Sequence, residues 1–307
     1  MEVIADRAAA RSRSREWRAS GKRVALVPTM GCLHAGHMSL LRAAGELADA
    51  VVCSIYLNET QFGPGEDFSS YPRRLEEDLR ALRELGGVHC VFAPSALFPS
   101  GTGVGGAGGG QQTFVTVERL QRPLCGRDRP AFFRGVATVV AKLLNILEPD
   151  VLVLGRKDFQ QYRVIERMVE ELDFPVRVVA CPTVREHDGL AMSSRNLRLR
   201  DADRAKARRI SVMLTEITTE IKDALRRAGR VDGIDKMLDD RGRALEADTG
   251  GTVQYLESMD GESLEPRTSF AVPGPDGERP SLLIATAVVL GGVRLIDNVV
   301  IETEGDG

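Results

Sequence analysis

The sequence predicts an α/β protein: a Rossmann-like, mostly parallel sheet with helices on both faces, followed by a smaller C-terminal α+β domain. Strand-like runs alternate with helical patterns through the first 180 residues, as in right-handed βαβ units. Several of these runs are apolar throughout, which is typical of strands covered on both faces. After about Thr183 the alternation stops, so we expect one domain over residues 1–183 and a second over residues 184–307.

The first domain alternates strand and helix patterns over most of its length. Its strand-like runs, in chain order, are Val24–Val27, Val51–Leu57, Val88–Ala93, Thr113–Val117, Val151–Leu154 and Val176–Ala180. Apolar residues at three- and four-residue spacing predict helices at His37–Ala48, Pro72–Leu85, Gly135–Leu147 and Phe159–Leu172. The arginine-rich N-terminus also carries acidic residues, which favours a solvated helix face over a transit peptide or a nucleic-acid-binding arm.

Helices and strands are grouped apart in the second domain, which is typical of an α+β arrangement. A long charged helix is predicted from Asp201 to about Arg227, with a shorter one around Gly233–Ala247. The strand patterns that follow are Val253–Ser258, Ser269–Val272, Leu282–Leu290 and Val293–Ile296.

Composition excludes several classes of protein. The formal net charge is −3, from 41 basic and 44 acidic residues, so no bulk basic field exists for nucleic acid or a membrane surface. No apolar run approaches the roughly 20 residues that span a bilayer. The 5 cysteines are scattered and odd in number, which favours a reducing compartment over a disulfide framework. We therefore expect a cytoplasmic protein whose anion binding is local.

The most informative segment is Pro28–His37, where two of the chain's 4 histidines lie three residues apart. It follows a short apolar strand and leads into a helix, so His34 and His37 would share the first helical turn. Free backbone N–H groups and the helix dipole attract anions there, which predicts a nucleotide phosphate site. A zinc site formed by Cys32 and the two histidines is the alternative, although no fourth ligand is evident nearby.

Two other segments also follow predicted strands. Asn58–Gln61 comes after the second strand, and Gly155–Gln161 comes after Val151–Leu154. Ligands of open parallel sheets bind beyond the carboxyl ends of the strands, so these segments and Pro28–His37 should meet in one cleft. Lys157 would reach phosphate oxygens, and Asp158 would pair with it, hold a ribose hydroxyl or help to position magnesium.

Two loops remain. Ser193-Ser194-Arg195-Asn196 offers two hydroxyls and a forked cation just past the last parallel strand, and such a loop can close over a triphosphate. The glycine-rich stretch Gly101–Gly110 lacks a Gly-Lys-Ser/Thr ending and a helix directly behind it, so we interpret it as a flexible connection or a disordered lid edge and assign it no chemistry.

Four segments in order resemble the pantothenate synthetase (pantoate–β-alanine ligase) family, which carries the His-x-Gly-His signature of the nucleotidyltransferase superfamily. They are Pro28–His37, then Ser54–Asn58 with Gln61-Phe62-Gly63, then Gly155–Gln161, and finally Asp188–Asn196. The resemblance implies an ATP-dependent, AMP-forming ligase that joins pantoate to β-alanine through an acyl adenylate. It also implies Mg²⁺, a C-terminal domain that acts as a lid, and a homodimer.

The resemblance also assigns roles to residues. The implied catalytic residues are His34, His37, Lys157 and Arg195. The implied ATP-binding residues are Pro28, Thr29, Met30, Gly31, His34, His37, Gly155, Lys157, Asp158, Met192, Ser193, Ser194 and Arg195. Met30, Asn58, Gln61 and Gln161 would bind the acid, and Arg129 and Phe132 would bind the amine. The magnesium ligands are not identified; Glu77 and Asp78 are weak candidates.

Two departures from the family pattern fall in the acid and amine pockets. Glu59 stands where the family usually has proline, and Phe132 stands where it usually has a histidine associated with the β-alanine carboxylate. Phenyl in place of imidazole removes a polar group. The alternative hypothesis is therefore a family member that uses a different amine or acid. Two further rivals are a nucleotidyltransferase that forms no amide and a nonenzymatic nucleotide or metal sensor.

Overall fold

The computed structural model describes residues 1–63, 65–66, 68–99, 110–272 and 280–302. The chain divides into two compact units: Met1–Arg122 with Gly126–Thr183, and Pro123–Cys125 with Val184–Gly307. Residues 101–109 of the glycine-rich stretch lie outside the described residues.

Strands and helices alternate up to residue 181, except that the short helix Cys125–Asp128 directly precedes the helix Phe132–Leu147. In chain order they are β1 (Glu2–Ile4), α1 (Arg7–Ala19), β2 (Val24–Thr29), α2 (Ala35–Leu47), β3 (Ala50–Ile55), α3 (Leu75–Leu85), β4 (Cys90–Phe92), α4 (Cys125–Asp128), α5 (Phe132–Leu147), β5 (Val151–Gly155), α6 (Phe159–Glu171) and β6 (Arg177–Cys181). The helices at residues 37, 72, 135 and 159 that the sequence predicts are all present, with ends shifted by a few residues. The N-terminal segment forms the predicted helix.

The strands of the first unit form a parallel sheet in the order β1-β4-β3-β2-β5-β6. From β2 the chain runs outward through β3 to β4, whereas β5 and β6 lie on the other side of β2. The order therefore reverses between β2 and β5, and the crevice beyond the carboxyl ends of these two strands is the expected ligand site of such a sheet. The predicted parallel α/β fold is confirmed.

One predicted strand is wrong. Residues 113–117 form no regular structure, because the Val115 N–H donates to the Thr138 hydroxyl of α5 at 3.0 Å instead of to a strand. The sheet edge beyond β4 is taken by β1, in which Val3 aligns with Val91. A three-residue strand carries too few positions for its alternation to be recognised in a sequence.

The core of the first unit explains why β2 and β3 read as apolar throughout. Val24, Ala25, Leu26 and Val27 are all fully buried. Ala25 and Val27 pack with residues of α2, α3, β3 and β5 in one cluster. Alternate strand residues point to opposite faces, so Val24 and Leu26 point to the other face of the sheet.

The second unit contains its own core. Its elements are α7 (Asp201–Ala228), β7 (Arg230–Asp232), α8 (Ile234–Thr249), β8 (Thr252–Asp260), β9 (Ser269–Ala271), β10 (Ser281–Leu290) and β11 (Val293–Glu302). An antiparallel sheet in the order β11-β10-β8 packs its apolar face on α7 and α8, and β7 pairs with β9. The predicted α+β class of this part is confirmed.

Strand β11 runs six residues past the predicted end at Ile296, because it stays paired with β10 as far as Glu302. Asp297 is 3% exposed and accepts two hydrogen bonds from the Arg185 guanidinium, at 2.6 and 3.0 Å. A sequence pattern that treats Asp297 and Asn298 as surface residues ends the strand too early. None of the helices among the described residues combines the length and the apolar composition of a membrane-spanning segment.

Candidate active site

The turn between β2 and α2 is built from two consecutive residues with positive φ. Gly31 has φ 81° and Cys32 has φ 52°, which turns the chain sharply at the end of β2. The Asp78 carboxylate of α3 accepts the N–H groups of Cys32 at 2.9 Å and Leu33 at 2.7 Å. A Cβ on Gly31 would lie 3.0 Å from Asp78 Oδ2, so glycine permits this close approach.

His34 and His37 cap the start of α2 reciprocally. Nδ1 of His34 accepts the Gly36 N–H at 3.1 Å, and Nδ1 of His37 accepts the His34 N–H at 3.3 Å. The two ring centroids are 4.1 Å apart. A neutral imidazole that accepts at Nδ1 carries its proton on Nε2. Both rings are thereby set up as Nε2–H donors at a helix N-terminus, where anions bind.

The His37 ring is neutral at physiological pH. Burial, together with the neighbouring His34 and the positive charge of Lys157, lowers the pKa of His37 to about 3. The segments after β2 and β5 therefore lie close enough for the Lys157 charge to act on His37. The roles of these two residues toward a nucleotide stay predictions.

Lys157 and Asp158 lie in the short 3-10 turn Arg156–Asp158 between β5 and α6. Lys157 Nζ is 3.8 Å from Asp158 Oδ1, and the Lys157 side chain is largely buried while that of Asp158 is 45% exposed. The Asp158 carboxylate thus remains accessible to a ligand at the carboxyl end of the sheet.

The turn after β3 is held from within by Asn58, which is 1% exposed. Its Nδ2 donates to Gln61 Oε1 at 2.8 Å and to the Gly135 carbonyl at 3.2 Å. Its Oδ1 accepts from the Thr60 N–H and hydroxyl. The amide of Asn58 is fully engaged, so in this structure it orients Gln61. Gln61 accepts this hydrogen bond through Oε1, so its amide NH₂ group is directed away from Asn58.

The absence of a side chain at Gly135 lets α5 pack closely against this turn. A Cβ at this position would lie 2.2 Å from the Thr60 carbonyl oxygen, a distance that real structures do not tolerate. The missing side chain therefore allows the hydrogen bond from Asn58 to the Gly135 carbonyl. The sequence identified Gly135 only as the start of a helix. Gln161, the other predicted acid-binding glutamine, lies in the first turn of α6 and is half-buried.

Arg129 and Phe132, the predicted amine-binding residues, lie together. The Arg129 guanidinium carbon lies 3.9 Å from the centroid of the Phe132 ring. Arg129 Nε and Nη2 donate to the two carboxylate oxygens of Glu66, at 2.6 and 2.5 Å, and Nη2 also donates to the Gln61 carbonyl at 2.9 Å. Sequence reasoning missed Glu66, because it lies in a polar turn whose composition gives no sign of a distant partner.

The loop with Ser193 and Arg195 belongs to the second unit. The Ser193 hydroxyl accepts the Arg195 N–H at 3.3 Å and caps the 3-10 helix Ser194–Arg198. Asn196 donates to Glu186 at 2.6 Å and to the Ala191 carbonyl at 3.0 Å, which fixes the loop internally. The ATP-binding roles of Met192, Ser193, Ser194 and Arg195 stay predictions.

The zinc alternative finds no support in the described residues, among which no three His, Cys, Asp or Glu side chains group as metal ligands. Of the two weak magnesium candidates, Asp78 uses both oxygens on backbone N–H groups, and Glu77 pairs with Arg74 at 3.1 Å.

Asp78 holds the turn before α2, a role different from the weak magnesium candidacy that the sequence suggests. It stands in the acidic first turn of α3 beside Glu76 and Glu77, a composition that simply complements the helix dipole. Only the packing of α3 against the turn after β2 shows that Asp78 is 4% exposed and holds that turn.

An open parallel sheet with a histidine-capped helix start and a lysine turn at its reversal point is an arrangement that suits a nucleotide-binding enzyme. The sequence model of the pantoate–β-alanine ligase family matches residues 2–300, so the chain belongs to this family. It is an ATP-dependent ligase.

Similar proteins agree over nearly the full length. The pantoate–β-alanine ligase of Oryza sativa is 46% identical over 98% of this chain and 97% of its own. The pantothenate synthetase of Geobacter sulfurreducens is 43% identical over 99% and 100%. The crystal structure of pantothenate synthetase from Thermus thermophilus aligns with a TM-score of 0.82 at 36% identity, covering 97% of this chain and 99% of that one.

A pantoate–β-alanine ligase from Francisella tularensis, solved with β-γ ATP and β-alanine, aligns with a TM-score of 0.71 at 30% identity. It covers 97% of both chains.

Proposed function

We propose that this chain joins pantoate to β-alanine, converting ATP to AMP and pyrophosphate. The observation that carries the proposal is the histidine-capped start of α2 beside the Lys157 turn, in a chain that matches its family from residue 2 to residue 300. The reaction has two steps, and neither requires a covalent bond to the protein.

In the first step the pantoate carboxylate attacks the α-phosphorus of ATP. The new bond joins a carboxylate oxygen to phosphorus, and the bond to the pyrophosphate oxygen breaks. The Nε2–H groups of His34 and His37 donate to phosphate oxygens, and Lys157 offsets the negative charge that accumulates there. Preoriented donors of this kind are the main source of catalysis in such a step, because they need no reorganisation.

Gln61 and Gln161 bind pantoate in this proposal, together with Met30. Asn58 acts by setting the Gln61 amide through the 2.8 Å hydrogen bond between the two side chains. An amide both donates and accepts, which suits a substrate that carries hydroxyls beside a carboxylate.

In the second step the β-alanine amine attacks the activated carbonyl carbon. A C–N bond forms, the C–O bond to AMP breaks, and the amine releases a proton. Arg129 binds the β-alanine carboxylate, and the Phe132 ring beneath it holds the guanidinium plane in place. Bidentate pairing with a carboxylate is the characteristic use of arginine in such a pocket.

We propose that Arg195 brings a further positive charge to the triphosphate and that the second unit acts as a lid. Mg²⁺ accompanies ATP. Magnesium is usually held by one or two carboxylates, waters and substrate phosphates, and the exposed Asp158 carboxylate fits that donor set. When bound, the ion neutralises phosphate charge.

A homodimer in the cytoplasm completes the proposal. The support for the compartment is that all 5 cysteines, each within the described residues, are free thiols. Sedimentation of the purified protein measures the oligomeric state.

The experiment is an assay of the purified chain with ATP, Mg²⁺ and pantoate, measuring pyrophosphate release and amide formation over a panel of amines. We expect amide with β-alanine at the highest kcat/KM. Turnover with another amine and none with β-alanine would mean that Phe132 has changed the substrate. Exchange of pyrophosphate into ATP without any amide would indicate a nucleotidyltransferase that stops at the adenylate.

A further inference from the structure

The guanidinium that the proposed function assigns to the β-alanine carboxylate already holds a carboxylate of the chain itself. Glu66 accepts from Nε at 2.6 Å and from Nη2 at 2.5 Å, one oxygen to each nitrogen. This side-by-side geometry is the one in which arginine binds a free carboxylate substrate. The Phe132 ring also packs against the guanidinium, whose carbon lies 3.9 Å from the ring centroid.

The Arg129–Glu66 pair is only partly shielded from water. The Arg129 side chain is 14% exposed and that of Glu66 is 26% exposed. Glu66 belongs to neither a helix nor a strand, so moving it does not break a secondary-structure element. Water and small solutes therefore have access to the pair, so a substrate carboxylate can compete with Glu66 for the guanidinium.

We infer that Glu66 is an internal competitor for the amine substrate: its carboxylate occupies the edge of Arg129 that the β-alanine carboxylate takes during the second step. This inference rests on the proposed function and deepens it. Glu66 then sets the apparent affinity for β-alanine, and it keeps Arg129 paired while pantoate is being activated.

The expected change in the apparent affinity for β-alanine follows from the competition between its carboxylate and Glu66 for Arg129. If Glu66 occupies Arg129 about nine-tenths of the time, the apparent affinity for β-alanine is about tenfold weaker than the intrinsic one. Because the first step needs no amine, its rate should not depend on Glu66.

The test compares the wild type with Glu66→Gln, which keeps the shape of the side chain and removes its charge. We expect the KM for β-alanine to fall about tenfold. The rate of pyrophosphate exchange into ATP with pantoate should stay within about twofold. β-Alaninamide, an amine without a carboxylate, should change little between the two proteins. Glu66→Asp, which retains the charge on a shorter arm, should give an intermediate KM.

Glu76→Gln is the matched control, because Glu76 is an exposed carboxylate on α3 outside the site. It should leave the KM for β-alanine unchanged. A KM that is unchanged or raised in Glu66→Gln, with pantoate exchange intact, overturns the inference and makes Glu66 a support for Arg129. Failure of the proposed function looks different, since the wild type itself would then form no amide from pantoate and β-alanine.

Discussion

At the scale of single residues, the site depends on groups whose protonation the fold has already set. Nδ1 of His34 and Nδ1 of His37 both accept backbone N–H groups, so each neutral ring presents Nε2–H. The Asp78 carboxylate is held by two N–H groups of the turn before α2. Each of these arrangements gives a prediction.

The low pKa of His37, about 3, predicts acid destabilisation. A histidine in the unfolded chain gains its proton near pH 6.5, whereas folded His37 gains it near pH 3. Between these two pH values only the unfolded state binds the proton. Stability therefore falls as the pH is lowered through this window, by at most about 1.4 kcal/mol per pH unit and less because the ring is partly exposed. Above pH 7 the effect is absent.

Urea unfolding of the wild type and His37→Gln at pH 7.5 and pH 5 measures this. The wild type should lose about 1 kcal/mol more than the variant between the two pH values. Arg208→Ala, at an exposed position of α7 outside the site, should retain the wild-type pH dependence. Equal losses in the wild type and His37→Gln would show that the His37 ring titrates normally.

Asp78→Asn should disturb the turn before α2, because an amide NH₂ would face the N–H of Cys32 or Leu33. We expect a loss of about 1–3 kcal/mol in the free energy of unfolding and a fall in kcat for adenylate formation. The KM for β-alanine should stay unchanged, because Arg129 is not involved. Glu76→Gln on the same helical turn is the control for charge. Normal adenylate formation in Asp78→Asn would remove the positioning role.

At the scale of elements, the site forms because α5 and three turns approach one another closely. These are the turn before α2, the turn after β3 and the Lys157 turn. The reversal of strand order between β2 and β5 places the turn before α2 beside the Lys157 turn. The turn after β3 is fixed against α5 at Gly135. These approaches depend on the absence of a Cβ at Gly31 and Gly135, so element packing rather than local propensity determines the positions.

Gly135→Ala tests this packing. The added Cβ would lie 2.2 Å from the Thr60 carbonyl oxygen, so α5 must shift away and release the Asn58 hydrogen bond. We expect a loss of about 1–3 kcal/mol of stability, measured by thermal unfolding, and a raised KM for pantoate.

Gly45→Ala is the matched control, since a Cβ there meets nothing within 4 Å on the exposed side of α2. It should stabilise the chain by roughly 0.5–1 kcal/mol through its higher helix propensity. If both glycine variants were stabilised, α5 would not depend on Gly135 for its approach to Thr60.

At the scale of the whole molecule, each unit has its own hydrophobic core. The proposed lid role of the second unit predicts a large effect of Arg195→Ala on adenylate formation, about 100-fold or more in kcat, with the fold retained. Arg208→Ala, at an exposed position of α7, should have no effect. Rapid-quench measurement of the adenylate separates this step from amide formation. A near-normal adenylate rate in Arg195→Ala would remove Arg195 from the reaction.

Local pattern was enough to predict the parallel sheet, its helices and the segments that leave the strand ends. Apolar runs such as Val24–Val27 and helical spacing such as that of α6 are properties of neighbouring residues, so they can be recognised directly in the sequence. The segment Pro28–His37 could be predicted in the same way, because its strand end, turn and helix start are contiguous in the chain. Residues 113–117 and β1 show the limit, since the occupant of a sheet edge depends on competition between distant segments.

The roles of Glu66, Asp78 and Asn58 could be assigned only from the folded chain. Glu66 and Arg129 are 63 positions apart, and Asp78 and Cys32 are 46 apart. The identity of a residue in the sequence does not show whether its carboxylate is buried or exposed. That depends on the hydrogen-bond donors that tertiary packing brings within about 3 Å of it. Hydrogen-bond partners across such distances are a product of tertiary contacts, whereas helix and strand periodicity arises from the neighbouring residues themselves.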